Sequence, residues 1–257
     1  MTLLVKLGGT LLDAPQSRAR LAGEIHDLAK SGHQVIVVHG GGKQMTRFLE
    51  AQGIRSSFVN GLRVSSPEVI DALLKVVAGS VNKQLVAALR AAGLAAVGLS
   101  GVDGGLVEAE PLSEELGAVG HPVLARTHLL HVLLAGGFTP VVACVGGDSR
   151  GNVYNVNADQ MACICAAGFP VDQLLFLTDV EGVLDAEKRP VRALSIADCR
   201  QLIAGGVAAG GMQAKLEAAC RTLDEGVDTV RILPGFRAGV LLESLGGGDV
   251  GTAIRRG

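Results

Sequence analysis

Leu3-Leu4-Val5-Lys6-Leu7-Gly8-Gly9, then Pro15 to Lys30, then Gln34-Val35-Ile36-Val37-Val38-His39-Gly40-Gly41-Gly42: these opening residues decide the fold. The two short apolar runs are rich in β-branched residues and end in glycines, so they read as buried strands. Between them, Leu21, Ile25 and Leu28 share one helical face. Strand, helix, strand in that order makes a parallel crossover unit. The alternation continues with strands at Ala95–Leu99, Pro140–Val145, Gln173–Leu177 and Thr229–Leu233. Helical patterns cover Gln44–Gln52, Pro67–Ala92 with a break expected near Gly79, Thr127–Ala135, Ala158–Ala167, Ile196–Ala204 and Met212–Glu225. Phe58–Val64 reads as a hairpin around Asn60-Gly61, and Gly105–Leu124 as short polar strands with turns. The pattern predicts an α/β fold, a three-layer α/β/α sandwich with a mainly parallel central sheet. Residues 1–257 are expected to form one domain, and any division into lobes is expected in the glycine-rich Gly146–Asn152 stretch.

Composition narrows the function. The 257 residues carry 23 Lys and Arg against 25 Asp and Glu, a net charge of −2. No global field draws the chain to nucleic acid or an anionic membrane. With no Trp, one Tyr and six Phe, it lacks aromatic platforms for stacking bases. No apolar run is read as a membrane span, and the N-terminus shows no signal-peptide pattern. The five cysteines form no C-x-x-C pair and read as buried thiols of a reducing compartment. A cytoplasmic protein is expected.

In open α/β sheets ligands bind beyond the carboxyl ends of strands. Those ends carry Lys6, Gly8 and Gly9; His39 to Gly42; Ser100 to Gly105; and Thr178-Asp179-Val180-Glu181-Gly182. Such clusters combine backbone N–H groups with charge, as phosphate binding requires. Gly40-Gly41-Gly42-Lys43 is neither a P-loop, because Gln44 follows, nor a dinucleotide fingerprint, because Met45 takes the third glycine position. Three consecutive glycines exceed what a strand-to-helix turn needs, which favours a phosphate cradle. Lys6 lies inside an apolar strand and needs an anion beside it. In Asn155-Val156-Asn157-Ala158-Asp159, one side chain serves as a helix N-cap. The remaining polar groups can grip a small substrate and hold a lysine. Lys215, in Gly210-Gly211-Met212-Gln213-Ala214-Lys215, is expected in the first turn of a helix, against its dipole. Arg63 on the hairpin suits bidentate capture of a carboxylate, although a solvated surface Arg reads equally from the sequence.

Two patterns point elsewhere. Gly147-Asp148-Ser149-Arg150-Gly151 matches G-x-S-x-G, but no helix follows the serine, as a nucleophile elbow demands. His128 and His131 are helical neighbours with no third metal ligand.

Seven segments taken together resemble the acetylglutamate kinases of the amino-acid kinase family, over essentially the whole chain. They are Val5-Lys6-Leu7-Gly8-Gly9, Val38-His39-Gly40-Gly41-Gly42, Phe58-Val59-Asn60-Gly61-Leu62-Arg63-Val64, Glu115-Leu116-Gly117-Ala118-Val119-Gly120, Asn155-Val156-Asn157-Ala158-Asp159, Thr178-Asp179-Val180-Glu181-Gly182 and Gly211-Met212-Gln213-Ala214-Lys215. The lysine and glycine motifs are shared with aspartate, carbamate and uridylate kinases. The hairpin and the Asn-Val-Asn-Ala-Asp segment point to the acetylglutamate branch. The resemblance implies phosphorylation of the side-chain carboxylate of N-acetyl-L-glutamate by Mg-ATP, in arginine biosynthesis. It places Lys6 and Lys215 on the transferring phosphoryl group, with Asp159 holding both. Gly8, Gly9, Gly41 and Gly42 would supply backbone donors to the phosphates. Arg63, Asn155 and Asn157 would contact the acylated amino acid, with Gly41 and Gly42 beside it. Thr178, Asp179, Gly182, Gly211 and Met212 would line the nucleotide side. The N-terminal part, about 1–150, would bind the acyl amino acid and the remainder ATP. Mg2+ would be held through nucleotide phosphates and water, with no protein ligand assigned. Lys43, Gln44 and Ala214, where many relatives carry proline, depart from the family pattern without removing a catalytic group. The extra N-terminal helix of the family's arginine-inhibited hexamers is not seen, so an arginine-insensitive homodimer is expected.

This inventory suits the reaction. A side-chain carboxylate, pKa about 4.3, is ionised at neutral pH and needs no general base. The barrier is repulsion between two anions, roughly 4 kcal/mol for unit charges 4 Å apart at an effective dielectric near 20. Two lysines and bare amides answer it by position and charge. Two competing readings remain: a kinase of this family for another N-acyl amino acid, carboxylate or carbamate, and a non-catalytic nucleotide or amino-acid sensor.

Overall fold

The first strand, β1 (Thr2–Leu7), lies at the middle of the sheet, as its almost wholly apolar sequence requires. The computed structural model describes all 257 residues. After β1 come α1 (Pro15–Lys30), β2 (Gln34–His39), α2 (Gly42–Ala51) and the two-residue strands β3 (Phe58–Val59) and β4 (Leu62–Arg63). A long helix follows, made of α3 (Pro67–Leu73), π-helical turns at Leu74–Val81 and α4 (Asn82–Ala91). Next are β5 (Ala96–Ser100), β6 (Val107–Pro111), β7 (Val119–Ala125), α5 (His128–Ala135), β8 (Thr139–Ala143), β9 (Val145–Gly147) and β10 (Val153–Val156). The remainder holds α6 (Ala158–Gly168), β11 (Gln173–Thr178), β12 (Val183–Leu184), β13 (Pro190–Val191), β14 (Ala193–Ser195), α7 (Ile196–Ala204), α8 (Gly210–Asp224), β15 (Thr229–Pro234), α9 (Val240–Leu245) and β16 (Thr252–Arg255).

Eight strands form one sheet in the order β14-β16-β15-β11-β1-β2-β8-β5. From β15 to β5 every pairing is parallel; β16 reverses against β15. Helix α1 packs with α4 and α9, while α6, α7 and α8 pack together, giving a helical layer on each side. One apolar cluster of 67 buried residues runs from Leu3 to Ile254, so both halves share a core.

Four features differ from the expectations. First, the helix does not break at Gly79. The chain stays helical from Pro67 to Ala91 by widening into π turns, which absorb an extra residue without losing backbone pairing. Second, this 25-residue helix is long and apolar enough, by length and composition, to pass for a membrane span. Here Val69, Leu73, Val77, Val81, Leu85 and Leu89 are buried in the core. Third, Gly146–Asn152, where any division into lobes is expected, is hairpin rather than linker. It covers the turn of the antiparallel β9–β10 hairpin, and both strands join β6 and β7 in a closed four-stranded ring. Asp148 builds that turn by accepting from the Arg150 and Asn152 amides and the Tyr154 hydroxyl, which holds its carboxyl well below the usual range, with the Asn152 side chain contributing most. The G-x-S-x-G match is therefore a hairpin turn. Fourth, α8 starts at Gly210, so Lys215 sits in its second turn and the opposition to the dipole loses force.

Candidate active site

Adjacent strands β2, β1 and β11 deliver the glycine turn, Lys6 and the Thr178–Gly182 loop to one edge of the sheet. At the end of β1, Lys6 is nearly buried and its Nζ lies 2.7 Å from Asp159 Oδ1. Lys215 Nζ, from α8, lies 3.1 Å from Oδ2 of the same carboxylate. One carboxylate thus joins two ammonium groups 209 residues apart in the chain, and the triad carries a net positive charge. Burial pushes the Asp159 carboxyl up, but Lys6 and then Lys215 outweigh it, so the group stays below the usual carboxylate range and ionised.

Asp159 is in the first turn of α6, where the helix dipole favours a negative charge. Asn157 caps that helix: its side-chain oxygen accepts from the Asp159 and Gln160 amides at 2.8 and 3.2 Å. Its carbonyl is therefore committed to the cap, though the residue still borders the site. Asn155 donates to Ser65 Oγ at 3.0 Å and lines a cavity of about 260 Å³.

That cavity is lined by Lys6, the glycine turn, Arg63, Asn155 and apolar Met45, Leu73 and Val77. Arg63 is 8% exposed and has no carboxylate partner. Its guanidinium donates to Ser56 Oγ, to Thr46 Oγ1 at 2.7 Å and to the Gly42 carbonyl at 3.3 Å, and lies 4.6 Å from the Phe58 ring centre. Burial lowers its pKa. Three of its five N–H donors are used, and no carboxylate lies within ion-pair distance, although the charge of Glu50 partly offsets the effect of burial. The hairpin that carries it turns through Asn60 and Gly61, both with positive φ, as the Asn-Gly pair predicted.

Beyond Asn157 and the hairpin tip lies a polar cleft of about 470 Å³, lined by Asp159, Lys215, Gly210 and Gly211. Past the start of α8 opens a wider one of about 700 Å³, lined by Asp179, Gly182 and apolar Val180, Val207, Met212 and Phe236. The α8 N-terminus between them has no side-chain cap, and the Met212 amide pairs with the Ala209 carbonyl at 3.2 Å.

Most of the expected residues converge here, with two corrections. The Gly8 amide is not a free donor: it is paired to the Leu177 carbonyl at 3.2 Å. Gly9 instead reaches the cavity, and a side chain there would come within 3.2 Å of the Gly42 amide. Thr178 points inward, its hydroxyl within 3.4 Å of the Val180 and Leu233 carbonyls, and shapes the loop rather than lining the cleft. Sequence reading missed Ser56, Thr46 and Ser65, which hold Arg63 and Asn155; isolated hydroxyls carry no spacing signal. No group of three His, Cys, Asp or Glu side chains is disposed to hold a metal ion.

The description of the amino acid kinase family matches residues 1–234. The chain is 58% identical to the acetylglutamate kinase of Solibacter usitatus over 254 residues, 99% of both chains. It is 44% identical to that of Rubrobacter xylanophilus, over 99% and 97% of the two. Among solved structures, the N-acetylglutamate synthase of Neisseria gonorrhoeae, complexed with coenzyme A and N-acetyl-glutamate, superposes with a TM-score of 0.89 at 25% identity. That alignment covers all of this chain and 59% of the synthase. Giardia lamblia carbamate kinase bound to AMP-PNP gives 0.76 at 18% identity, over 100% and 98% of the two chains.

Proposed function

Since this chain belongs to the amino acid kinase family, we propose that it transfers the terminal phosphoryl group of ATP to the side-chain carboxylate of N-acetyl-L-glutamate, giving N-acetyl-L-glutamyl 5-phosphate and ADP in arginine biosynthesis. The carrying observation is the Lys6–Asp159–Lys215 triad, set between a cavity lined by Arg63 and an open, largely apolar cleft.

The acyl amino acid takes the first cavity, its main-chain carboxylate on Arg63 and its amide on Asn155. ATP takes the wide cleft, its base among Val180, Val207 and Met212 and its phosphates along Gly211 toward Lys215. The N-terminal part of the chain, with β9 and β10, binds the acceptor and the remainder binds the nucleotide. At the junction the ionised carboxylate attacks the terminal phosphorus, and the leaving bond to the bridging oxygen of ADP breaks. Lys6 and Lys215 face the charge that spreads over the transferring oxygens. Asp159 fixes their separation and offsets their mutual repulsion. Mg2+ neutralises phosphate charge when bound. Both Asp159 oxygens face lysines, so no protein ligand is assigned to the ion, which would enter with the nucleotide as Mg-ATP.

A homodimer and a cytoplasmic location belong to the same proposal. All five cysteines are free thiols. Sedimentation at micromolar concentration gives the oligomer directly.

The test is ATP turnover with N-acetylglutamate beside free glutamate, aspartate, carbamate and UMP, with hydroxylamine trapping the acyl phosphate. Turnover and hydroxamate with N-acetylglutamate are expected. Preference for another acceptor, or no turnover with any, overturns the reading.

A further inference from the structure

His39 and Asn82 are fully buried polar side chains that the reaction as described does not use. His39 ends β2, directly before the glycine turn, and its Nδ1 lies 2.9 Å from the Gly40 carbonyl oxygen. Its Nε2 lies 3.0 Å from Asn82 Nδ2. That amide nitrogen also donates to the Val141 carbonyl at 2.9 Å, which settles its orientation, because an oxygen there would face another oxygen. Asn82 Oδ1 accepts from Lys83 Nζ at 3.2 Å. Asn82 therefore donates to Nε2, and the proton of the neutral ring sits on Nδ1, where the acceptor-only Gly40 carbonyl takes it. Both ends of the chain of bonds demand the same tautomer.

The pocket for Asn82 is built rather than accidental. It opens α4 where the π turns end, and a side chain at Gly98 would collide with Asn82 Oδ1 and Lys83 Nζ. Widened helical turns of this kind recur at functional sites.

In a planar trans peptide the carbonyl and the following N–H point in opposite directions. A bond that holds the Gly40 carbonyl toward His39 therefore aims the Gly41 N–H the other way. Gly41 lines the acceptor cavity, is itself buried, and its N–H has no partner within the protein. We propose that His39, locked by Asn82, is a positioning residue that aims the Gly41 N–H at the reacting anions. The inference rests on the kinase reading and adds a residue that touches neither substrate.

Two variants separate aiming from support. His39→Asn puts an amide donor where Nδ1 stands and keeps the bond to Gly40. His39→Gln reaches the Nε2 position, keeps a partner for Asn82 and loses that bond. Both bury one amide. The expected result is kcat within about threefold of the parent for H39N. For H39Q, kcat falls roughly 30-fold, below the loss for a whole donor, with both KM values within twofold and melting midpoints of the two variants within about 3 °C. Wild-type kcat in H39Q, or losses that follow melting alone, overturns the proposal. The Gly41 amide resonance on adding Mg-ADP gives a readout independent of the acceptor: it should shift in the parent and H39N and stay put in H39Q, and equal shifts in all three overturn the proposal. A parent enzyme without acyl-phosphate formation would instead fail the kinase reading, leaving this resonance test standing by itself.

Discussion

The cavity proposed for the acceptor and the cleft proposed for the nucleotide lie on one edge of the sheet and are made in opposite ways. In the first, each functional group has fixed partners: Arg63 has three acceptors and an aromatic ring, Lys6 has Asp159, Asn155 has Ser65. The second is wide, with Val180 and Phe236 left 41% and 51% exposed and few side-chain hydrogen bonds along its walls. Charge that must meet a small anion at a defined point is pre-positioned, because misplacement costs rate. A flat base gains affinity from apolar area, which tolerates looseness.

Substitutions can break that contrast or sharpen it. Lys6→Ala should lower kcat about a thousandfold with little change in either KM, by steady-state kinetics; a small effect would mean that the pinned region does not face the reacting phosphorus. The buried His39 gives a pH test. Burial, opposed by the Gly40 bond and aided by the Lys83 charge, pulls its pKa from 6.5 to about 4. The unfolded chain then binds a proton that the native one refuses, so stability is full above pH 6.5 and is lost as pH falls toward 4. Urea denaturation should show the parent losing up to about 3 kcal/mol more than His39→Asn over that window.

Arg63→Ala should raise KM for the acyl amino acid roughly 30-fold with a smaller change in kcat. Met212→Ala, in the loose region, should raise KM for ATP only about threefold and leave kcat alone. If Met212→Ala cost more than Arg63→Ala, the contrast between the two regions would be reversed.

The sequence made the strand ends legible, because Lys6, the three glycines and the Thr178–Gly182 loop interrupt apolar runs where only a ligand or a turn explains them. It did not reveal which groups are held by which. The partners of Arg63 come from three separate segments, and Asn82 looks like any polar residue on a helix until Gly98 and Val141 surround it. Gly79 reads as a helix breaker, yet continuous packing on both sides keeps the chain helical there. Thr178 and Gly8 lie beside residues that line the cleft and cavity, and only the hydrogen bonds show that the Thr178 hydroxyl turns inward and that Gly8 spends its amide on Leu177.

The order β2-β1-β11 acts as a ruler. Parallel neighbours lie roughly 4.8 Å apart, so the glycine turn, Lys6 and the Thr178–Gly182 loop are set out in successive steps across about 10 Å of sheet, and on the proposed reading acceptor, reacting phosphorus and nucleotide follow the same steps. The span between the two substrates is thereby fixed by main-chain hydrogen bonds. A relative that takes a longer or shorter acceptor must then change the hairpin and loops at the rim, while the three strands keep their spacing.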